Sequence, residues 1–191
     1  MQSNSNVDSI AVFCGSKMGT NPAFAADAAA LGHWMAKKNI GLIYGGGSAG
    51  LMGILADAVL ENGGRVTGII PELLLEWEVQ HRGLTELIVA NDMHERKKQL
   101  YSRCDAALVL PGGFGTLDEL FEIITWNQLT IHDKQIFILN SDGFYNALLQ
   151  HIELMKKEGF LYQEAIDKIQ VINKVHELDG YLNDRPRPLF S

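Results

Sequence analysis

Short apolar runs alternating with helix-patterned segments constrain the fold of this chain more than any single motif does. The runs are Ile10 to Cys14, Ile40 to Tyr44, Val66 to Ile70, Leu87 to Ala90, Ala106 to Leu110, Ile136 to Asn140, and a last pair, Val171 and Ile172. Each is too short for a buried helix and is bounded by Gly, Pro or Asn, so each reads as a strand. Between them apolar residues recur at helical spacing: Phe24, Ala28, Leu31 and Met35, then Leu51, Leu55, Ala58 and Val59 up to Asn62-Gly63-Gly64. Further helices are expected over Met93 to Cys104, through Leu117, Leu120, Phe121, Ile124 and Leu129, and over Phe144 to Lys157, with shorter ones at Gln163 to Lys168 and near His176 to Leu182. Glu72 to Gly83 reads as a short helix plus loop.

This alternation predicts parallel β-α units, hence an α/β fold with a mostly parallel sheet of about seven strands and helices on both faces. No internal repeat, linker or low-complexity stretch divides the 191 residues, so one domain is expected, with loose ends at 1–7 and 184–191. Such sheets hold ligands beyond the C-terminal strand ends, at a switch in topology. The residues that follow the strands are Ser16, Gly45 to Gly47, Glu78, Met93 to Lys97, and Gly112 to Glu119.

The stretch after Leu110 carries the strongest chemical signal. Pro111-Gly112-Gly113-Phe114-Gly115-Thr116 joins a buried strand to a helix. Glycines there let the backbone approach a phosphate, while free N–H groups and the helix dipole favour its charge. Thr116-x-x-Glu119 also fits a capping box, with Thr116 at the N-cap and Glu119 reaching back, so Glu119 alone does not establish a site. A second glycine-rich loop, Gly45-Gly46-Gly47-Ser48-Ala49-Gly50, satisfies G-x-G-x-x-G, and Glu72 follows about 20 residues on. It follows the second strand rather than the first and leaves no room for a separate substrate domain, which weakens a dinucleotide reading.

Met93, Arg96, Lys97 and Leu100 fall on one helix face, placing two cations between apolar anchors. The alternative is a solvated helix with a surface pair such as Glu95 and Lys98. Arg96 offers a planar fork for a phosphate or purine edge, and Lys97 a point charge. Asp118 is expected to face solvent in the first helical turn. The six histidines show no ligand spacing, so no metal is expected, and Ser16 lacks a triad around it. Trp34, Trp77 and Trp126 read as core or interface residues.

Charge and composition narrow the partners. A net charge of -7 leaves no basic face for nucleic acid or an anionic membrane. No apolar run is long enough to span a bilayer, the polar start lacks signal-peptide features, and Cys14 and Cys104 read as reduced core residues. A cytoplasmic location is expected.

With these residues assembled, the sequence resembles the LOG ("Lonely Guy") family of cytokinin riboside 5'-monophosphate phosphoribohydrolases, whose members are often labelled lysine decarboxylases. The resemblance covers about nine-tenths of the chain. It is carried by P-G-G-x-G-T-x-x-E at Pro111 to Glu119, by M-h-x-R-K at Met93 to Lys97, and by Tyr44 to Gly47 with Gly50-Leu51-Met52-Gly53. It implies a Rossmann-like homodimer that hydrolyses the N-glycosidic bond of a nucleoside 5'-monophosphate, releasing free base and ribose 5-phosphate without a cofactor. Arg96 and Glu119 become the catalytic pair. Ser16, Gly46, Gly47, Glu78, Met93, Lys97, Gly112, Gly113, Gly115, Thr116 and Thr125 become substrate contacts. The alternative is a non-catalytic carrier of a phosphorylated ligand on the same fold. Plain AMP and N6-prenylated nucleotides stay open, the base pocket being sought around Leu73 to Trp77 or in a partner subunit.

Overall fold

Every one of those apolar runs forms a strand, with ends shifted by one or two residues. In a computed structural model that describes residues 7–75, 80–162 and 166–182, the strands are β1 (Ser9–Phe13), β2 (Gly41–Tyr44), β3 (Val66–Pro71), β4 (Glu86–Ala90), β5 (Ala106–Val109), β6 (Gln135–Leu139) and β7 (Ile169–Ile172). They build one sheet in the order β4-β3-β2-β1-β5-β6-β7. Every ladder between them is parallel. An isolated bridge from Gly47 to Gln80 supplies an antiparallel contact. The chain winds outward from β1 to β4, then returns to lay β5 on the other side of β1. The gap above β1 and β5 is therefore the switch point.

Side chains along each central strand alternate between two cores, as the period of two requires. Ile10, Val12, Leu42, Tyr44, Leu108 and Phe137 enter one core, with α1 (Pro22–Lys37) and α2 (Gly50–Glu61) packed over it. Ala11, Phe13, Ile43, Val109 and Ile138 enter the other, under α3 (Met93–Arg103), α4 (Phe114–Gln128) and α5 (Asn146–Lys157). The three-layer Rossmann-like sandwich is thus present. Gly32 lets α1 and α2 close on each other, since a Cβ there would stand 2.6 Å from that of Ala58. Trp34 is buried in the first core and donates its indole N–H to Asp179 at 3.1 Å, which ties the last helix, α6 (Asp179–Leu182), to α1.

Some boundaries differ from expectation for local reasons. The helix expected from Phe144 begins at Asn146, because Asp142 (φ 48) and Gly143 (φ 74) turn left-handed before it. The Asn140 side-chain oxygen accepts from the Tyr145 N–H at 2.8 Å and fixes that turn. The terminal helix starts as a 3-10 turn, Val175–Leu178. The short helix expected over Gln163 to Lys168, both chain ends, and Trp77 and Glu78 lie wholly or partly outside the described residues.

Candidate active site

The loops after β1 and β5 are stitched together before either meets a ligand. Leu110 N–H donates to Phe13 O and Gly15 N–H to Pro111 O, both at 3.0 Å, and Leu51 N–H at the start of α2 donates to Gly15 O at 3.0 Å. The buried Tyr145 hydroxyl fastens the end of β5 by donating to Leu110 O at 2.7 Å. Over this floor lies a cavity of about 560 Å³, within the ordinary range for small-molecule sites.

One wall is the N-terminus of α4. Its N-cap is Gly113, and no side chain caps the first turn. The capping box expected at Thr116 is therefore absent. The helix begins two residues before that threonine, which is buried inside the first turn. Gly112 is required by that threonine, because a Cβ at 112 would lie 2.1 Å from its hydroxyl. At Gly113 and Gly115 a Cβ would meet nothing, so packing does not explain them. What lies before them is the cavity, with the unpaired N–H groups of a helix start beside it.

The opposite wall is α3. Asp92 caps it by accepting from Glu95 N–H at 2.8 Å, and Glu95 reaches back to Asn91 N–H at 2.8 Å. Glu95 thus serves the cap rather than a surface pair with Lys98. The cap sets the direction of Arg96 one residue on. Its Nε donates to Ile69 O at 3.1 Å and its Nη1 lies 3.1 Å from Glu119 Oε1. Both side chains are nearly nine-tenths buried. Burial drives the Glu119 carboxyl above its ordinary range and Asp118 adds to this, while Arg96 and Lys97 oppose it. The result is a carboxyl able to exchange a proton nearer neutrality, which suits acid–base work.

Gly45 belongs to this wall as well. A Cβ there would come within 2.5 Å of Arg96 Nη2, so the glycine makes way for the guanidinium. Other glycines of that loop serve packing. Gly50 (φ +61) would push a Cβ to 2.4 Å from Lys17 N, and Gly46 gives its carbonyl to His81 N–H at 3.0 Å. The carbonyl of Gly47 accepts from the Tyr44 hydroxyl at 3.2 Å. Two glycines of the G-x-G-x-x-G spacing are thus set by close contacts within the protein, Gly45 by the Arg96 side chain and Gly50 by the backbone of Ser16 and Lys17.

Of the residues proposed from sequence, the cavity brings together Ser16, Met93, Arg96, Gly112, Gly113, Gly115, Thr116 and Glu119. Gly46 and Gly47 stand off it, held in the contacts just given. Lys97 turns away from it into the carboxylates of Asp118 (2.9 Å) and Glu122 (3.1 Å). Asp118 is exposed as expected, and it also lines the cavity and holds that lysine. Thr125 is exposed, and its hydroxyl donates to Phe121 O at 2.7 Å. Glu78 lies outside the described residues. Sequence reasoning missed the apolar part of the cavity, formed by Met18, Phe24, Leu74 and Phe144. Only Leu74 came from the region searched for a base pocket. Phe24 and Phe144 meet edge to face at 5.3 Å across 120 residues of chain, a contact no local pattern signals.

Fold and site together define a Rossmann-like protein with a helix start free of side-chain caps and a buried carboxylate–guanidinium pair at the switch point. Residues 52–182 match a family model described as "possible lysine decarboxylase". The chain is 42% identical over 184 residues to the cytokinin riboside 5'-monophosphate phosphoribohydrolase LOG1 of Arabidopsis thaliana, covering 96% of this chain and 86% of that protein. It is 47% identical over 156 residues to LOG3 of the same plant, with 82% and 73% covered. This chain belongs to the LOG family. Among solved structures, a molybdenum cofactor binding protein of Rippkaea orientalis superposes with a TM-score of 0.69 over 92% of this chain and 94% of that one. At 19% identity that likeness concerns the fold alone.

Proposed function

We propose that the protein hydrolyses the N-glycosidic bond of a nucleoside 5'-monophosphate, giving free base and ribose 5-phosphate. The observation that carries this reading is the buried Arg96–Glu119 pair, 3.1 Å apart, beside an uncapped helix start. Breaking the bond from C1' to the base nitrogen builds positive charge on the ribose ring, as in other glycoside hydrolyses. Glu119 stabilises that charge and takes the proton of the attacking water, and that proton passes on to the departing base nitrogen, so that free base leaves and the carboxylate is restored. Arg96 favours the ionised form of Glu119 against the effect of burial and offsets the charge leaving with the base. Backbone N–H groups at Gly113, Gly115 and Thr116 hold the 5'-phosphate, and that binding energy positions C1'. Met18, Phe24, Leu74 and Phe144 leave an apolar region for the base, which accommodates adenine and an apolar N6 substituent alike.

The decarboxylase description fits these residues poorly. A lysine that forms a Schiff base needs a depressed pKa. Burial pulls Lys97 down, but Asp118 and Glu122 carry it above the ordinary lysine value.

Purified protein incubated with AMP, with N6-isopentenyladenosine monophosphate and with adenosine tests the reading by chromatography of base and ribose 5-phosphate. Base release from a monophosphate, at least about 100-fold faster than from adenosine, is expected if the phosphate positions the sugar. Equal turnover of AMP and adenosine would remove the role given to the α4 loop. Tight AMP binding without release would favour a carrier.

A homodimer is part of the same proposal. Phe121, Leu129 and Ile131 expose apolar surface along and just beyond α4, and Thr125 shares the exposed face of Phe121. Light scattering is expected to give the mass of two chains; the mass of one would overturn this part.

A further inference from the structure

Next to the Arg96–Glu119 pair lies a second polar cluster, which meets the cavity only through Asp118. Lys97, one residue beyond Arg96, is pinned between Asp118 at 2.9 Å and Glu122 at 3.1 Å, and its side chain is only 13% exposed. Glu122 is itself held from below. The Tyr101 hydroxyl donates to its Oε2 at 2.7 Å and stands 3.4 Å from the backbone carbonyl of Glu119. Tyr101 is buried, and its ring packs edge to face on Phe13 at 5.9 Å and on Trp126 at 5.0 Å. Burial and the neighbouring carboxylates push its hydroxyl well above the ordinary tyrosine range, so it stays a donor. The arrangement ties α3 to α4 at the turn that presents Glu119.

Resting on the hydrolase reading, we infer that Glu122 and Tyr101 are positioning residues for the reaction: they hold Lys97 against Asp118 and so fix the charge around Glu119 opposite Arg96. The groups facing Glu119 are few. Arg96, Lys97 and Tyr101 come from α3, Asp118 from its own helix, and the Cys14 thiol from the loop after β1, while Glu122 acts through Lys97 and Tyr101. Burial keeps that thiol protonated. Of the cations, Arg96 is committed directly to Glu119 and to Ile69 O. Lys97 is therefore the adjustable charge, and Glu122 decides where it sits. Without Glu122, Lys97 has one carboxylate to neutralise instead of two, and more of its field reaches Glu119. Without Lys97, Asp118 acts on Glu119 with Arg96 alone against it.

The two losses act in opposite directions, which separates charge positioning from mere scaffolding. The test is the pH dependence of kcat for base release from AMP or its N6-isopentenyl form. Glu122→Gln is expected to move the acid limb to lower pH by at least roughly half a pH unit, and Lys97→Met to move it to higher pH. Tyr101→Phe keeps both ring contacts and loses one donor. It is expected to lower kcat about fivefold with KM within about twofold of wild type, at a melting temperature within a few degrees. An acid limb that stays in place in Glu122→Gln and Lys97→Met, or moves the same way in both, overturns the inference while leaving the hydrolase reading intact. Wild-type protein that releases no base overturns the hydrolase reading and the inference together.

Discussion

Glu119→Gln is expected to lower base release by about 10²- to 10⁴-fold, the usual range for losing a positioned acid–base group, while leaving the melting temperature within a few degrees of wild type. Were Glu119 a capping residue, glutamine would serve nearly as well and activity would survive. The structure removes that role: the N-cap position of α4 is Gly113, with no capping side chain, and Glu119 sits in the second turn facing Arg96. The amide keeps the size of the side chain and an oxygen for the guanidinium, so the fold loses little. What is lost is the charge that an oxocarbenium-like transition state requires and the site that accepts the water proton. The check is a paired measurement of base release and thermal unfolding. Activity above about one-tenth of wild type would sink the catalytic role.

Arg96→Met is expected to abolish activity and also to destabilise the protein, which distinguishes it from the first variant. Removing the guanidinium leaves the Glu119 carboxyl buried without its partner, a change that costs about 3–5 kcal/mol and on the order of 10 °C in melting temperature. The destabilisation depends on pH in a stated direction. The folded-state pKa of Glu119 already lies above its ordinary value of 4.5 because of burial, and Arg96 is the largest influence holding it down. Without Arg96 it rises further. A carboxyl raised on folding contributes stability that is fully present below its unfolded pKa and is lost as pH rises through the folded one. The deficit of the variant is therefore expected to be small near pH 4.5 and to widen toward neutrality. Melting temperatures of both proteins across that range check it. A deficit independent of pH would mean that the lost contact with Ile69 O, rather than the stranded carboxyl, dominates.

Much of this was legible in the chain because local rules and tertiary context agree. The central strands are apolar on both sides, since both faces are covered, and glycine or proline ends most of the strands. That left their number and parallel arrangement readable, along with the loop at Pro111 to Thr116 and the neighbouring cations of α3. Local rules failed where two chemistries share one pattern. Thr116-x-x-Glu119 has the spacing of a cap, yet the helix starts two residues before Thr116, which is buried inside its first turn, and Glu119 meets Arg96 instead. Gly45 to Gly50 has the spacing of a dinucleotide loop, yet Arg96 and the backbone after β1 are what press against two of its glycines. Lys97 shares a helix face with Arg96, but a side chain's direction is set by the carboxylates it meets, and Asp118 and Glu122 lie on another helix.

By itself the sequence determined the layered α/β architecture, the loops that end its strands and the residue types of the site, because hydrophobic period, glycine placement and charge are properties of neighbours along the chain. Tertiary structure alone decided that Gly46 and Gly47 stand off the cavity, that Lys97 turns from it to Asp118 and Glu122, and which apolar side chains complete it. Those outcomes depend on the order in which parallel strands pair. By placing β5 beside β1, that order brings residues nearly a hundred positions apart within hydrogen-bond distance of one another.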